Sequence, residues 1–324
     1  MEKVSIYIDG GNFYHLVIKK LGIDEAQFDF EKFAIFLANN RPISTMGKRF
    51  YIGTVREESG NVWSKNAMSK QTTLFTQLRK SNWEIKTSKL RKRIEEIKID
   101  DRVVDYEKIK KLGIQKIIFE RLREKGIDVK LATDLIVGSV DNQYDTAIVV
   151  SSDADLIPAI DWVRHRKKKK IEYVGFSIAD EGNPKNYTNP LISLIAKTDI
   201  KRILVKSDLE QFVILMKMGF TNNLISKVLS GEKNKTYRYG KKYSQLKIGH
   251  KFIFLNSETN KDIAIGEVVN KEAVKFSDLP IKEKGHEEYK SKEEQIAIFK
   301  TFYGKEIGND EDMIVLEFKL LRVL

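Results

Sequence analysis

Residues 146–152 read TAIVVSS. The run is apolar from Ala147 to Val150 and β-branched from Ile148 on, with no polar residue on either alternate face. Branching at Cβ favours the extended chain. A strand with no polar face is covered on both sides, and helices packed on both sides of a mainly parallel sheet provide that cover. The runs VSIYI (4–8), RFYIGTV (49–55), WEIKTSKL (83–90) and IEYVGF (171–176) read as companion strands. Helix-patterned stretches alternate with them. FYHLVIKKLG closes on Gly22, and NAMSKQTTLFTQLRKSNW places Leu74, Phe75 and Leu78 on one side. The expectation is an α/β protein, a three-layer α/β/α domain with a mainly parallel sheet.

Two of these strands run into carboxylates. Asp9 ends the first, and Asp153 and Asp155 follow the fourth. Ligands of open α/β sheets bind beyond the carboxyl ends of the strands, so these acids converge if the two strands are neighbours. Asp134 sits on the helix before the fourth strand and faces the same crevice in this reading, with Leu131, Leu135 and Ile136 toward the core. Grouped carboxylates repel one another, and a hard divalent cation, Mg²⁺ or Mn²⁺, relieves the repulsion. Such an ion activates water and stabilises charge on a phosphodiester under in-line attack. Asn12, three residues past Asp9, is placed to orient a bound water or a phosphate. The competing reading makes Asp9 and Asp153 simple helix caps. The chain has no Cys and four His, none spaced as a zinc pair, so any metal ligands are oxygen atoms.

The 324 residues suggest two domains, here 1–207 and 208–324. A formal charge of +12 favours a polyanionic partner, nucleic acid first. The opening MEKVSIYIDGGN enters a strand directly, without a leader pattern, and no window is apolar enough to span a membrane, so a cytoplasmic protein is expected. RHRKKKK (164–170) ends the helix that starts at Asp153. It is either a solvated helix end favoured by the helix dipole or, through Arg164 and Lys167, a hold on an RNA backbone. The charged stretch 91–111 reads as an insertion or a solvated hairpin, and KIIFERLREKGIDVKLATDLIVGSV as two helical pieces broken at Gly126.

Three blocks, YIDGGNFYH, KGIDVKLATDLI and YDTAIVVSSDADLIPAIDWVR, occur in the order found in NYN domains, the LabA-like branch of the PIN-like nuclease superfamily. The resemblance covers residues 1–207. It implies a PIN-like fold and a metal-dependent ribonuclease. Asp9, Asp134 and Asp153 match the acidic ligand positions, Asp155 the fourth acidic position, and Asn12 the Asn of the first block. Asp128 also matches a recurrent acid, although its place at a helix start favours an N-cap role.

After residue 207 the pattern changes to strands, LKIGHKFIFLN, AIGEVVN and MIVLEFKLL, which predict a small β-rich barrel. Here the sequence resembles ASCH domains, a PUA-like barrel family with the signature G-x-K-x-x-[ET]-x-R, matched by Gly231, Lys233, Thr236 and Arg238. PUA-like folds commonly bind RNA. Some ASCH proteins hydrolyse acetylated cytidine with a Lys, a Thr and a Glu, which implies Lys233, Thr236 and either Glu287 or Glu288. Tyr237, Tyr239 and Tyr243 are either base-stacking or packing residues. The combined expectation is a divalent-metal-dependent endoribonuclease with RNA as its partner and a C-terminal RNA- or nucleobase-binding domain; a homo-oligomer is allowed. The alternatives are a non-catalytic RNA-binding protein and a bifunctional protein whose second domain is an amidohydrolase. A haloacid-dehalogenase-type phosphatase is disfavoured because Gly11 stands where that chemistry needs a second Asp.

Overall fold

The computed structural model describes residues 1–55, 57, 60–89, 91–123, 126–180 and 183–324. Leu90, Glu124 and Lys125, which fall in the quoted runs, lie outside the described residues. The chain divides into two compact units, Met1–Ile214 and Leu215–Leu324.

The first unit is built on a mainly parallel sheet. Its strands are β1 (Val4–Asp9), β2 (Ile43–Thr54), β3 (Glu84–Lys89), β6 (Thr146–Val150), β7 (Lys170–Asp180), β8 (Asn183–Thr188) and β9 (Ile200–Val205). The order runs β3-β2-β1-β6-β7. β9 lies parallel to β7, and β8 pairs with β7 antiparallel. β1 and β6 are adjacent, from Val4↔Thr146 to Ile8↔Val150. Both faces of this pair are buried, and alternation divides them. Ile6, Ile8, Ile148 and Val150 enter one core with Phe13, Phe33 and Phe50. Tyr7, Ala147 and Val149 enter the other with Leu131, Leu135 and Ile160. This is the doubly covered strand that TAIVV predicts.

Residues 116–123 depart from the sequence reading, while 91–98 form one arm of an exposed hairpin. KIIFERLR is not helical: it forms β5 (Lys116–Arg123), antiparallel to β4 (Arg91–Lys98), in a separate two-stranded sheet. Its Ile-Ile-Phe run suits an extended strand, and a full-length partner supplies the ladder that a helix would have made internally. The helix Ile127–Val140 follows after Gly126, whose φ of 83° only glycine adopts without strain.

The second unit has a five-stranded sheet of β10 (Met216–Phe220), β11 (Lys235–Tyr239), β12 (Lys251–Asn256), β13 (Lys261–Lys275) and β14 (Asp312–Val323). Their order is β10-β12-β13-β14-β11. The sheet encloses Met218, Phe252, Phe254, Leu316 and Phe318. The guanidinium of Arg238 on one end strand donates to the carbonyl of Gly219 on the other, at 2.9 Å, and so ties the two ends of the sheet together.

One buried charge holds the sheet of the first unit. Glu172 on β7 is fully buried and is gripped by Arg41 at 2.6 Å and Arg202 at 2.5 Å. Removing the carboxylate leaves two arginines in a protein environment without their counter-ion. Glu172→Ala is therefore expected to cost about 3–5 kcal/mol, read as a lower urea midpoint. A variant as stable as the wild type would contradict this role.

Candidate functional site

Asp9 is held in place by its own loop and by the neighbouring strand. Its carboxylate accepts from the backbone N–H of Asn12 at 3.0 Å, from the Asn12 side-chain amide and from Ser151 Oγ at 3.0 Å. Asn12 thus orients Asp9. The Asp-Gly-Gly-Asn turn is tight because a Cβ at Gly10 would lie 2.5 Å from the ring of Phe50 and 2.9 Å from the Tyr51 carbonyl. Ser151 also accepts from the backbone N–H of Asp153 at 3.2 Å, so one hydroxyl links the ends of β1 and β6. Asp153 caps the following turn by accepting from the N–H of Asp155 at 2.9 Å. Asp9 likewise caps its own turn through the Asn12 N–H, so the cap reading describes both acids.

The structure adds an acid that the sequence reading set aside. Asp128 is not an N-cap. Gly126 has that place, and Asp128 lies one residue into the helix. Burial pushes its carboxyl above the usual range, and Asp9, Asp153 and Asp155 push it further by like charge. Asp9 is likewise raised, first by burial, against the donors from Asn12 and Ser151, with Asp153 adding repulsion. Four acids, Asp9, Asp128, Asp153 and Asp155, therefore share one electrostatic environment. The signal available in the sequence was the second block itself, in which Asp128 precedes Asp134 by six residues.

Those six residues span about 9 Å of helix and turn to a different face. Asp134 meets other partners there: Tyr51 donates to it at 2.8 Å and the Lys86 ammonium lies at 3.7 Å. Tyr7, ring-stacked on Tyr51, and Arg49, over the Tyr7 ring, bond its backbone carbonyl. Burial and this carboxylate together raise the Tyr51 hydroxyl far above its ordinary value, so it keeps its proton and donates it to Asp134.

The basic run lies elsewhere. The helical stretch 154–167 leaves Asp153 and runs back along the sheet for about 20 Å. Lys170 pairs with Thr146 at the start of β6, so the run reaches the opposite edge of the sheet. Arg164 forms a bidentate pair with Asp199 at 2.6 and 2.9 Å, and Lys169 lies 3.2 Å from Asp145. Lys167 is half-buried in the last turn.

In the second unit, Lys233 is buried and forms an ion pair with Glu287. Of the two glutamates considered, Glu287 faces the lysine. Burial lowers the Lys233 ammonium against the pull of Glu287. Burial opposes ionisation of Glu287 too, but Lys233 and His286 outweigh it and hold the carboxyl below its usual range. Thr236 is buried and accepts from Arg238 Nε at 3.1 Å. Arg238 also covers the Phe220 ring at 4.4 Å. Tyr237 stacks on His286 at 3.7 Å, while Tyr243 is buried; both act in packing.

Four carboxylates thus share one environment at the carboxyl edge of a mainly parallel sheet, where ligands of such sheets bind. The NYN domain model matches residues 3–192, and the chain belongs to the NYN domain family, whose members are PIN-like nucleases. No curated protein matches the chain. Among solved structures, it is similar to a Vibrio parahaemolyticus protein of unknown function (18% identity, 63% of this chain and 93% of that one, TM-score 0.36). Two others align on about a third of the chain. One is an Enterococcus faecalis protein (19% identity, 36% and 82% covered, TM-score 0.30). The other is an ASCH domain from Lactobacillus crispatus (18%, 37% and 87%, TM-score 0.29). Similarity at this level carries no functional argument.

Two measurements test these environments. Asp128→Asn removes like charge from the acid group, so it is expected to raise the melting temperature in EDTA by about 2–4 °C, the equivalent of roughly 1 kcal/mol. A lower melting temperature would mean that Asp128 is favourably paired. In the second unit, burial beside Lys233 lowers His286 from 6.5 to about 4, against the pull of Glu287 and Glu283. A depressed folded-state value gives stability that is full above pH 6.5 and is lost as the pH falls toward 4. The loss amounts to about 2–3 kcal/mol at about 1.4 kcal/mol per unit. Denaturation midpoints at pH 7 and pH 4.5 should differ less in His286→Gln; an equal difference would place the acid sensitivity elsewhere.

Proposed function

We propose that the first unit is a divalent-metal-dependent endoribonuclease and that the second binds RNA or a modified base. The observation that carries the reading is the group of acids at the ends of β1 and β6, in which the strongest charges acting on Asp128 are other carboxylates. Among the described residues no three acids close into a ready-made cage for one ion. Mg²⁺ does not require one, because it keeps several waters and takes only one or two direct carboxylates. The donor set, all carboxylate oxygen with raised proton affinity at Asp9 and Asp128, fits such an ion. Asp9 and Asp153 would hold it, with Asp128 and Asp155 facing its waters. When bound, a divalent ion supplies a water of lowered pKa and charge to balance the phosphodiester.

The chain's own residues do the positioning. Asn12 and Ser151 fix the Asp9 carboxylate, so that it does not reorganise during the reaction. Asp155 and Asp128 would accept a proton from an attacking water. Tyr51, beside Asp9 on the neighbouring strand, is buried and gives its one hydroxyl proton to Asp134, so it steadies that carboxylate. The pairs at Arg164 and Lys169 favour the solvated helix end over RNA contact for the 164–170 run.

A second reading, deacylation of an acetylated cytidine in the second unit, draws support from one observation. Lys233 is buried, its ammonium is lowered, and it faces Glu287 with Thr236 nearby in sequence. The binding role needs only the charge and hydrogen bonds of that pocket.

Incubation of the full chain with mixed RNA and DNA, in Mn²⁺ or EDTA, separates these readings. RNA is expected to be cut in Mn²⁺ alone. Asp153→Asn should lower the rate by at least about a hundredfold while the circular dichroism is unchanged. Cutting that persists in EDTA or in Asp153→Asn would refute the metal reading. Release of cytidine from acetylcytidine in EDTA, lost in Lys233→Ala, would make the second unit an enzyme.

A further inference from the structure

The β4–β5 ribbon is the surface that the nuclease reading leaves unexplained. It emerges from the end of β3, on the same edge of the parallel sheet as Asp9 and two strands away, about 10 Å at the usual strand spacing. In chain order the next helix is the one that carries Asp128. Seven of its sixteen residues are Lys or Arg against three Glu. Two-stranded ribbons are marginal in water unless a face is covered. Here Arg93, Ile94, Ile97, Ile117, Ile118 and Arg121 are all exposed.

Register sorts the side chains into two faces. On one, Arg93 lies opposite Arg121, Glu95 opposite Phe119, and Ile97 opposite Ile117. Like charges directly opposite destabilise a ribbon, and Glu95 reaches Arg121 only at 3.8 Å. A polyanion with flat apolar bases satisfies this face: the arginines take phosphates, and Phe119 with the isoleucine pair takes unstacked bases. On the opposite face Lys98 lies opposite Lys116, but there Lys116 is paired with Glu96 at 3.1 Å.

We propose that the Arg93–Phe119–Arg121 face of this ribbon is a single-stranded RNA-binding arm that leads the strand toward the Asp9–Asp128–Asp153 group. The proposal deepens the nuclease reading and rests on it for the direction of the strand, but binding is measured apart from cleavage. A fluorescein-labelled 20-nucleotide oligouridine is titrated with the full chain in EDTA at several salt concentrations, and anisotropy is read. Arg93→Gln/Arg121→Gln is expected to weaken binding about fivefold and to reduce the salt slope by about 1.4, two phosphates on the single-strand scale. Phe119→Leu should weaken binding with the slope unchanged. Lys32→Gln/Lys201→Gln, which removes two charges elsewhere on the first unit, should alter neither. Equal slopes for the arginine variant and the wild type would overturn the arm while leaving cleavage untouched. Binding that depends on the arginines without any cleavage would support the arm and defeat the nuclease reading. Concentration-dependent dimers by light scattering, abolished by Ile97→Asn with RNA affinity unchanged, would assign the face to a second copy of the chain and overturn the proposal.

Discussion

The parallel pairing of β1 with β6 is the constraint on which the candidate site depends. Two strands 142 residues apart lie side by side in strict register from Val4↔Thr146 to Ile8↔Val150. Both are covered on both faces, so a slip by one residue would exchange the contents of the two cores. The register fixes where the strands end, and Asp9 and Ser151 meet there. A single hydroxyl then connects Asp9 with Asp153. The acids are held together against their own repulsion by apolar packing that has no part in the chemistry.

Charge is distributed with a clear polarity over the first unit. The carboxylates gather at the carboxyl edge of the sheet, and the 164–170 run reaches the opposite edge, where Asp199 and Asp145 engage its members. An arginine held by a bidentate carboxylate contributes little to capturing a polyanion. The ribbon at the carboxyl edge has the reverse character, with arginines facing arginines. In the second unit the same economy appears around Lys233. Its charge is buried against Glu287, while Arg238 is engaged in closing the sheet and covering Phe220. A buried pair of this kind is costly to desolvate. It also keeps a lysine of lowered proton affinity in one geometry, which serves either binding or catalysis.

The sequence by itself determined the mixed α/β architecture, because an apolar β-branched run with no polar face has one stable setting, between helices. It also determined the family, through three blocks that each sit at a turn with strict demands: Gly10 under Phe50, the start of the helix at Gly126, and the cap at Asp153. Which acids share a field was decided only by tertiary structure. Asp128 and Asp134 look alike in a list of residues, but six residues of helix carry them to different faces, one toward Asp9 and the other to Tyr51 and Lys86. The strand at Lys116–Arg123 was likewise decided by its partner, since its local pattern fits a helix as well as a strand until β4 supplies the hydrogen bonds. The partners of RHRKKKK were decided in the same way. A run of cations reads identically whether it faces water, RNA or carboxylates, and Asp145 and Asp199 are brought to it only by the fold.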